Sequence, residues 1–115
     1  MKITVAVCTH ERPELLERCL QTLLPQLTNQ DELLVVDSAP LTGQTSLILN
    51  ETPAHYIYVA RPGLDVARNA AVEAAQGDIV AFVDDDVVVS NDWMAALRRA
   101  FSDVTAACVT GRTRP

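Results

Sequence analysis

Two rhythms of apolar and polar residues alternate along this chain. "ITVAVCT" (Ile3–Thr9) is β-branched and nearly all apolar, the pattern of a strand buried on both faces. "RPELLERCLQTLLPQL" follows, with Leu15, Leu16, Cys19, Leu20, Leu23, Leu24 and Leu27 at helical spacing. Pro13 stands where a first helical turn accepts proline, and Pro25 is expected to kink or end the helix. "DELLVVDS" repeats the strand rhythm and carries Asp37 at its end. "LTGQTSLILNE" reads as a weaker helix and "AHYIYVA" as a third strand. "GLDVARNAAVEAAQG" is Ala-rich and amphipathic, with Gly77 as the expected C-cap. "DIVAFV" is a fourth strand, and "SNDWMAALRRAFSD" a helix with Ser90 or Asn91 as N-cap. Trp93 shares that helix's apolar face with Leu97 and Phe101, which makes it a core residue. "TAACVTG" is a fifth strand or its beginning.

Strands alternating with helices predict an α/β fold with a doubly wound, mostly parallel sheet. No repeat, low-complexity tract or linker interrupts the chain, so residues 1–115 read as one domain. Right-handed crossovers lay the first three strands outward in one direction. With the fourth strand on the far side of the first, the strand order is 3-2-1-4. Open sheets of this kind bind ligands where the order reverses, outside the carboxyl ends of strands 1 and 4. The loop after strand 1 carries Thr9, His10, Glu11 and Arg12; the loop after strand 4 carries Asp84, Asp85 and Asp86. Asp37 ends the neighbouring strand.

The stretch "AFVDDDVVV" (Ala81–Val89) runs an apolar strand into consecutive aspartates. Two carboxylates about 6 Å apart repel by roughly 3 kcal/mol at an effective dielectric near 20. One reading is that the acids favour the next helix through its dipole, but Val87, Val88 and Val89 intervene and Ser90 or Asn91 already suits the cap. The other is that a divalent cation offsets the repulsion. If the segment stays extended, Asp84 and Asp86 point the same way, roughly 6.7 Å apart, while Asp85 points elsewhere. Hard oxygen ligands suit Mg²⁺ or Mn²⁺, which keep waters and bind substrate phosphates. Asp37 either accepts backbone N–H groups in the turn before Pro40 or recognises a base or ribose. Arg68 is a surface arginine or a ligand contact, His10 is ambiguous, and His55 is structural or exposed.

Charge narrows the ligand classes. The formal net charge is −6, with Lys2 the sole lysine and the arginines scattered. No clustered basic face is present to bind nucleic acid through its phosphates. A phosphate-bearing small molecule stays compatible, because a metal supplies the positive charge. Cys8, Cys19 and Cys108 lack CxxC or Cys/His spacing and sit in apolar contexts, as buried free thiols of a reducing compartment do. No apolar run approaches the ~20 residues of a membrane span. The N-terminus lacks a signal-peptide pattern, so a cytoplasmic location is expected.

These segments resemble the N-terminal half of a family 2 glycosyltransferase of the GT-A fold. "VAVCTHERPELLERCLQTLLPQ" is similar to that family's first strand, nucleotide loop and first helix, and "LLVVDSAP" to its second strand with the terminal aspartate. "GLDVARNAAVEAAQGDIVAFVDDDV" resembles the Ala-Arg-Asn segment leading into the Asp-x-Asp motif. "WMAALRRAF" continues the match, and "VTGRTRP" resembles the strand before the acceptor-binding half. The resemblance implies a nucleoside-diphosphate sugar donor and a Mg²⁺ or Mn²⁺ cofactor. It implies that Thr9 and His10 lie against the base, that Asp37 hydrogen-bonds it, and that Arg68 lies near base or diphosphate. Asp84 would contact ribose or the donor sugar, and Asp86 would reach the metal that bridges the diphosphate. Glu11 and Asp85 join the donor-binding set, and Asp84 joins Asp86 as a metal ligand.

The chain departs from the pattern at Cys8 (commonly proline), His10 (often tyrosine), Glu11 and Arg61 (commonly asparagine) and Pro40 (commonly serine). These departures bear on which base and sugar are bound. Inverting members carry a carboxylate base in the acceptor half, and no such segment precedes Pro115. The sequence is therefore expected to bind donor and metal without completing transfer, and to self-associate through an exposed C-terminal edge. A non-catalytic nucleotide-binding or interaction module on the same scaffold is the alternative. A haloacid dehalogenase-like phosphatase would place "DDDVV" after an early strand and need a later lysine, which is absent. "CTHERP" has no glycine for a dinucleotide fingerprint, and the acids lack the spacing and turn glycine of an EF-hand.

Overall fold

A computed structural model of the chain describes residues 1–102. The first apolar run forms β1 (Ile3–Thr9), which takes the centre of the sheet. It pairs in parallel with β2 (Glu32–Ser38) on one side and β4 (Ile79–Asp84) on the other, and β3 (His55–Val59) pairs in parallel with β2. The order is β3-β2-β1-β4, with β4 on the far side of β1 as expected. Helices α1 (Pro13–Leu23), α2 (Gln44–Leu49) and α3 (Leu64–Ala74) fill the connections, and α4 (Trp93–Ala100) follows β4.

Both faces of the central strands are buried, which is why those strands read as continuous apolar runs. Ile3, Val5, Val7, Leu33 and Val35 pack on Leu16, Cys19, Leu20 and Leu23 of α1, with Met94 of α4 and Leu49 of α2 in the same cluster. Trp93 and Leu97 of α4 pack against it, as the apolar face of that helix requires. On the opposite face Ala6, Leu34 and Val36 meet Ala67 and Ala71 of α3. Each fully buried Leu, Ile or Val side chain stabilises the fold by roughly 1.5–3 kcal/mol.

Helix ends depart from the expected caps. Pro25 does end α1: the chain tightens into a 3₁₀ turn over Leu24–Gln26. The N-cap of α4 is Asp92, not Ser90 or Asn91, and it makes no side-chain capping bond. Gln26 does that work from a distance: its Oε1 accepts the Met94 N–H at 2.9 Å, and its Nε2 donates to the Ser90 carbonyl at 2.7 Å. Gly77 does not cap α3, whose C-cap is Ala75. Its N–H donates to Thr4 Oγ1 at 2.9 Å, and a Cβ there would lie 2.6 Å from that oxygen. The requirement for glycine is close approach to β1.

The expected fifth strand, its exposed edge and Cys108 lie outside the described residues. Among the described residues no helix is long and apolar enough to cross a membrane.

Candidate functional site

The parallel register places Asp37 opposite Thr9 and Asp84 opposite Cys8. The carboxyl end of β1 is thus flanked by an acid on each side. The loop that leaves β1 is tied in both directions. Toward β4, Thr9 Oγ1 donates to Asp85 Oδ2 at 2.8 Å, and Arg12 Nη1 lies 3.4 Å from Asp85 Oδ1. Toward β2, His10 Nδ1 lies 2.6 Å from the Ser38 carbonyl oxygen. A carbonyl only accepts, so that nitrogen carries the proton.

Glu11 reaches further, accepting the Leu41 N–H at 2.8 Å and the Thr42 N–H at 3.2 Å. These N–H bonds, the Leu41 one foremost, hold its carboxyl below the usual carboxylate range. Glu11 has φ of 50°, a left-handed conformation that costs a non-glycine residue of order 1–3 kcal/mol. The bonds to the 41–42 turn offset that strain.

A cleft of about 420 Å³ opens over these loops and the start of α3. That volume lies within the roughly 300–1,000 Å³ of small-molecule sites. Its wall includes Thr9, His10, Arg12, Ser38 and the Asp84–Asp86 acids. The position is the topological switch point of the sheet.

Asp84 is the last residue of β4, and the strand does not continue into Asp85 and Asp86. The Val87 N–H donates to the Asp84 carbonyl at 3.1 Å, closing a turn over residues 84–87. The expectation of an extended segment is therefore corrected: a turn, not strand pleating, sets their directions. Asp84 and Asp86 are exposed and line the cleft, and neither carboxylate has a hydrogen-bond partner among the described residues. Asp85 is buried at 6% exposure, with both oxygens facing Thr9 and Arg12. Hard, outward oxygens at Asp84 and Asp86 fit a Mg²⁺ or Mn²⁺ that completes its shell with phosphate oxygens and water. No ready-made cluster of three or more ligating side chains occurs among the described residues.

Other candidates stand apart from the cleft wall. Asp37 is fully buried, and it does not bond the turn before Pro40. Its Oδ2 accepts the Tyr56 hydroxyl at 2.6 Å, and its Oδ1 has no partner among the described residues. Burial pushes the Asp37 carboxyl up, partly countered by the Tyr56 bond. Burial and then the bond to Asp37 push the Tyr56 hydroxyl up to about 12. Arg68 is exposed on α3, with its guanidinium 5.8 Å from the centre of the Phe82 ring. His55 is exposed at the start of β3.

Cys8 is half-buried and lines the cleft, unlike the fully buried thiol expected. Burial raises it, against the opposing charge of Arg68. Cys19 is buried and pushed up to about 11, by desolvation first and then by Asp85, so it is a neutral thiol at pH 7. Arg12, named from sequence only as part of the loop after strand 1, belongs to the cleft, as do Ser38 and Gly63, which were not singled out. Arg12 and Ser38 adjoin named candidates. Gly63 carries its signal in "RPG": it has φ of 125°, and a Cβ there would meet Asp65 Oδ1 at 2.9 Å.

Comparisons with known proteins cover nearly the whole chain. The family model described as Glycosyl transferase family 2 matches residues 4–115. The succinoglycan biosynthesis protein ExoM of Rhizobium meliloti is 32% identical over 121 residues, covering 99% of this chain and 39% of ExoM. The mannosyltransferase PcManGT of Pyrobaculum calidifontis, solved with GDP-Man and Mn²⁺, is 27% identical with a TM-score of 0.82, covering 95% of this chain and 35% of its own. S. aureus TarS, at 22% identity and a TM-score of 0.78 over 100% of this chain and 38% of that one, shows likeness of fold. This chain spans less than half the length of each of these relatives.

Proposed function

We propose that this chain, which belongs to glycosyl transferase family 2, provides the donor-binding part of a metal-dependent glycosyltransferase of the GT-A fold. The observation that carries the reading is the pair of exposed carboxylates, Asp84 and Asp86, without partners among the described residues, in a cleft at the switch point. Asp86 would hold a divalent ion, and Asp84 would share it or meet ribose or sugar. When bound, such an ion would supply positive charge against the diphosphate of the leaving nucleotide. Thr9 and His10 lie against the base, with Glu11 fixing their loop and Arg68 at the outer side.

Asp37 is fully buried, so it takes part in base recognition only where the wall that covers it opens to the cleft. Its Oδ1, without a partner among the described residues, would then accept a ligand N–H, which uracil, thymine and guanine all present. The GDP-Man and Mn²⁺ complex of PcManGT supports a nucleotide-sugar and metal pair here. Transfer to an acceptor, with inversion, is assigned to the whole protein. A reducing, cytosolic setting is supported by the free thiols Cys8 and Cys19. Self-association of the chain belongs to the same proposal, and the sedimentation coefficient of a monomer at every concentration would remove it.

Calorimetry with UDP, GDP and dTDP, with and without Mn²⁺, tests the reading. The expected result is metal-dependent binding of at least one nucleotide, weakened at least tenfold by Asp86→Ala, or about 1.4 kcal/mol. Equal binding by the variant would remove Asp86 from the site.

A further inference from the structure

We propose that Asp85 is a positioning residue, a buried clamp that joins the loop after β1 to the acidic turn and holds Asp84 and Asp86 toward the cleft. The proposal rests on the reading of that cleft as a donor-diphosphate site.

The three aspartates are chemically alike, but the fold treats them differently. Asp84 and Asp86 are exposed. Asp85 is buried, and its two oxygens are divided between two partners on one loop. Thr9, at the end of β1, donates its hydroxyl to Oδ2 at 2.8 Å. Arg12, the N-cap of α1, faces Oδ1 at 3.4 Å. One carboxylate therefore pins the turn to both a strand end and a helix start. Cys19 of α1 adds a weaker tether, its thiol lying 3.6 Å from the Asp84 carbonyl. The guanidinium beside Asp85 also offsets one of three adjacent negative charges, so Asp84 and Asp86 face the cleft with less repulsion from between them.

The chemistry asks for aspartate specifically. A carboxylate accepts from both donors at once. An asparagine can accept from Thr9, but its amide would then turn N–H groups toward the Arg12 donors. Alanine leaves both donors without a partner. Thr9→Ser keeps the hydroxyl, whereas Thr9→Val keeps the shape and removes it.

The test uses the purified protein and its Asp85→Ala, Thr9→Val, Thr9→Ser and doubly substituted Asp85→Ala/Thr9→Val forms. Amide hydrogen exchange at Val87, whose N–H is bonded to the Asp84 carbonyl, reports the turn without any ligand. Mn²⁺ titration in the presence of UDP and of GDP reports the ion site. Asp85→Ala and Thr9→Val are each expected to speed exchange at this amide by roughly tenfold and to weaken Mn²⁺ by about fivefold or more. The double substitution is expected to be no worse than the worse single one, because both remove the same contact. Thr9→Ser, which keeps the hydroxyl, is expected to restore wild-type exchange at Val87 in the ligand-free protein.

Unchanged exchange in both single variants, losses that multiply in the double variant, or failure of serine to rescue would each overturn the clamp. If Asp85→Ala does not fold, the Thr9→Val and Thr9→Ser pair carries the test alone. Faster exchange in a protein that binds neither nucleotide with Mn²⁺ would uphold the clamp and overturn the donor-site reading.

Discussion

The Asp37 carboxylate is fully buried with one oxygen on Tyr56 and the other without a partner among the described residues. Burial raises its folded-state pKa above the unfolded value. Ionisation therefore costs the folded state, and stability is lost as pH rises from the unfolded value toward the folded one. Asp37→Asn keeps an acceptor for Tyr56 and removes the charge. It is expected to be more stable than wild type at pH 7 in urea unfolding, with the difference closing below about pH 4, where both states of the wild type are protonated. A less stable variant at pH 7 would mean that the charge is held by a partner. At this scale the sequence was partly legible. Asp37 stood out because it ends a buried strand. Tyr56 did not, because its pairing with Asp37 depends on how β3 lies against β2, which no local pattern encodes. The same holds for Asp85: sequence alone separates it from Asp84 and Asp86 by parity, but its partners Thr9 and Arg12 come from a distant loop.

The elements themselves were the most legible part of the chain. Strands buried on both faces read as apolar runs, and α1 reads from leucine spacing with proline at each end. The ends of elements were less legible, because tertiary contacts replaced local caps. Gln26 reaches from the turn after α1 to serve the start of α4, a task the sequence assigned to Ser90 or Asn91. Gly77 has the spacing of a C-cap, yet it is needed where the chain passes Thr4. Gly77→Ala would place a Cβ 2.7 Å from the Thr4 backbone nitrogen, where strand pairing resists movement. Its expected cost is about 1–3 kcal/mol, the range for overpacking, measured by urea unfolding. A loss under about 0.5 kcal/mol, the usual size at exposed sites, would show that the segment can shift.

At the scale of the whole molecule, strand order brings the site together. With β1 between β2 and β4, residues far apart in sequence meet at one end of the sheet: Thr9, Asp37 and Asp84 share adjacent register positions. That convergence was legible, because crossover handedness leaves few arrangements. The turn over residues 84–87 was not, since a run of aspartate and valine is equally compatible with extended chain. A protein of net charge −6 gathers several acids at this end, so a ligand that brings cations should stabilise it. A nucleoside diphosphate with Mn²⁺ is expected to raise the melting temperature, and chelation of the metal to reverse the rise. At 100 times the dissociation constant the gain is about 2.7 kcal/mol.

The most direct measurement is phosphorus NMR of the bound nucleoside diphosphate while Mn²⁺ is added. An ion held between the acidic turn and the diphosphate should broaden both phosphorus resonances in the wild type, at Mn²⁺ levels that leave them sharp with Asp86→Ala. Equal broadening in the two proteins, or a bound nucleotide whose phosphorus signals stay sharp, would contradict a cation seated on that turn.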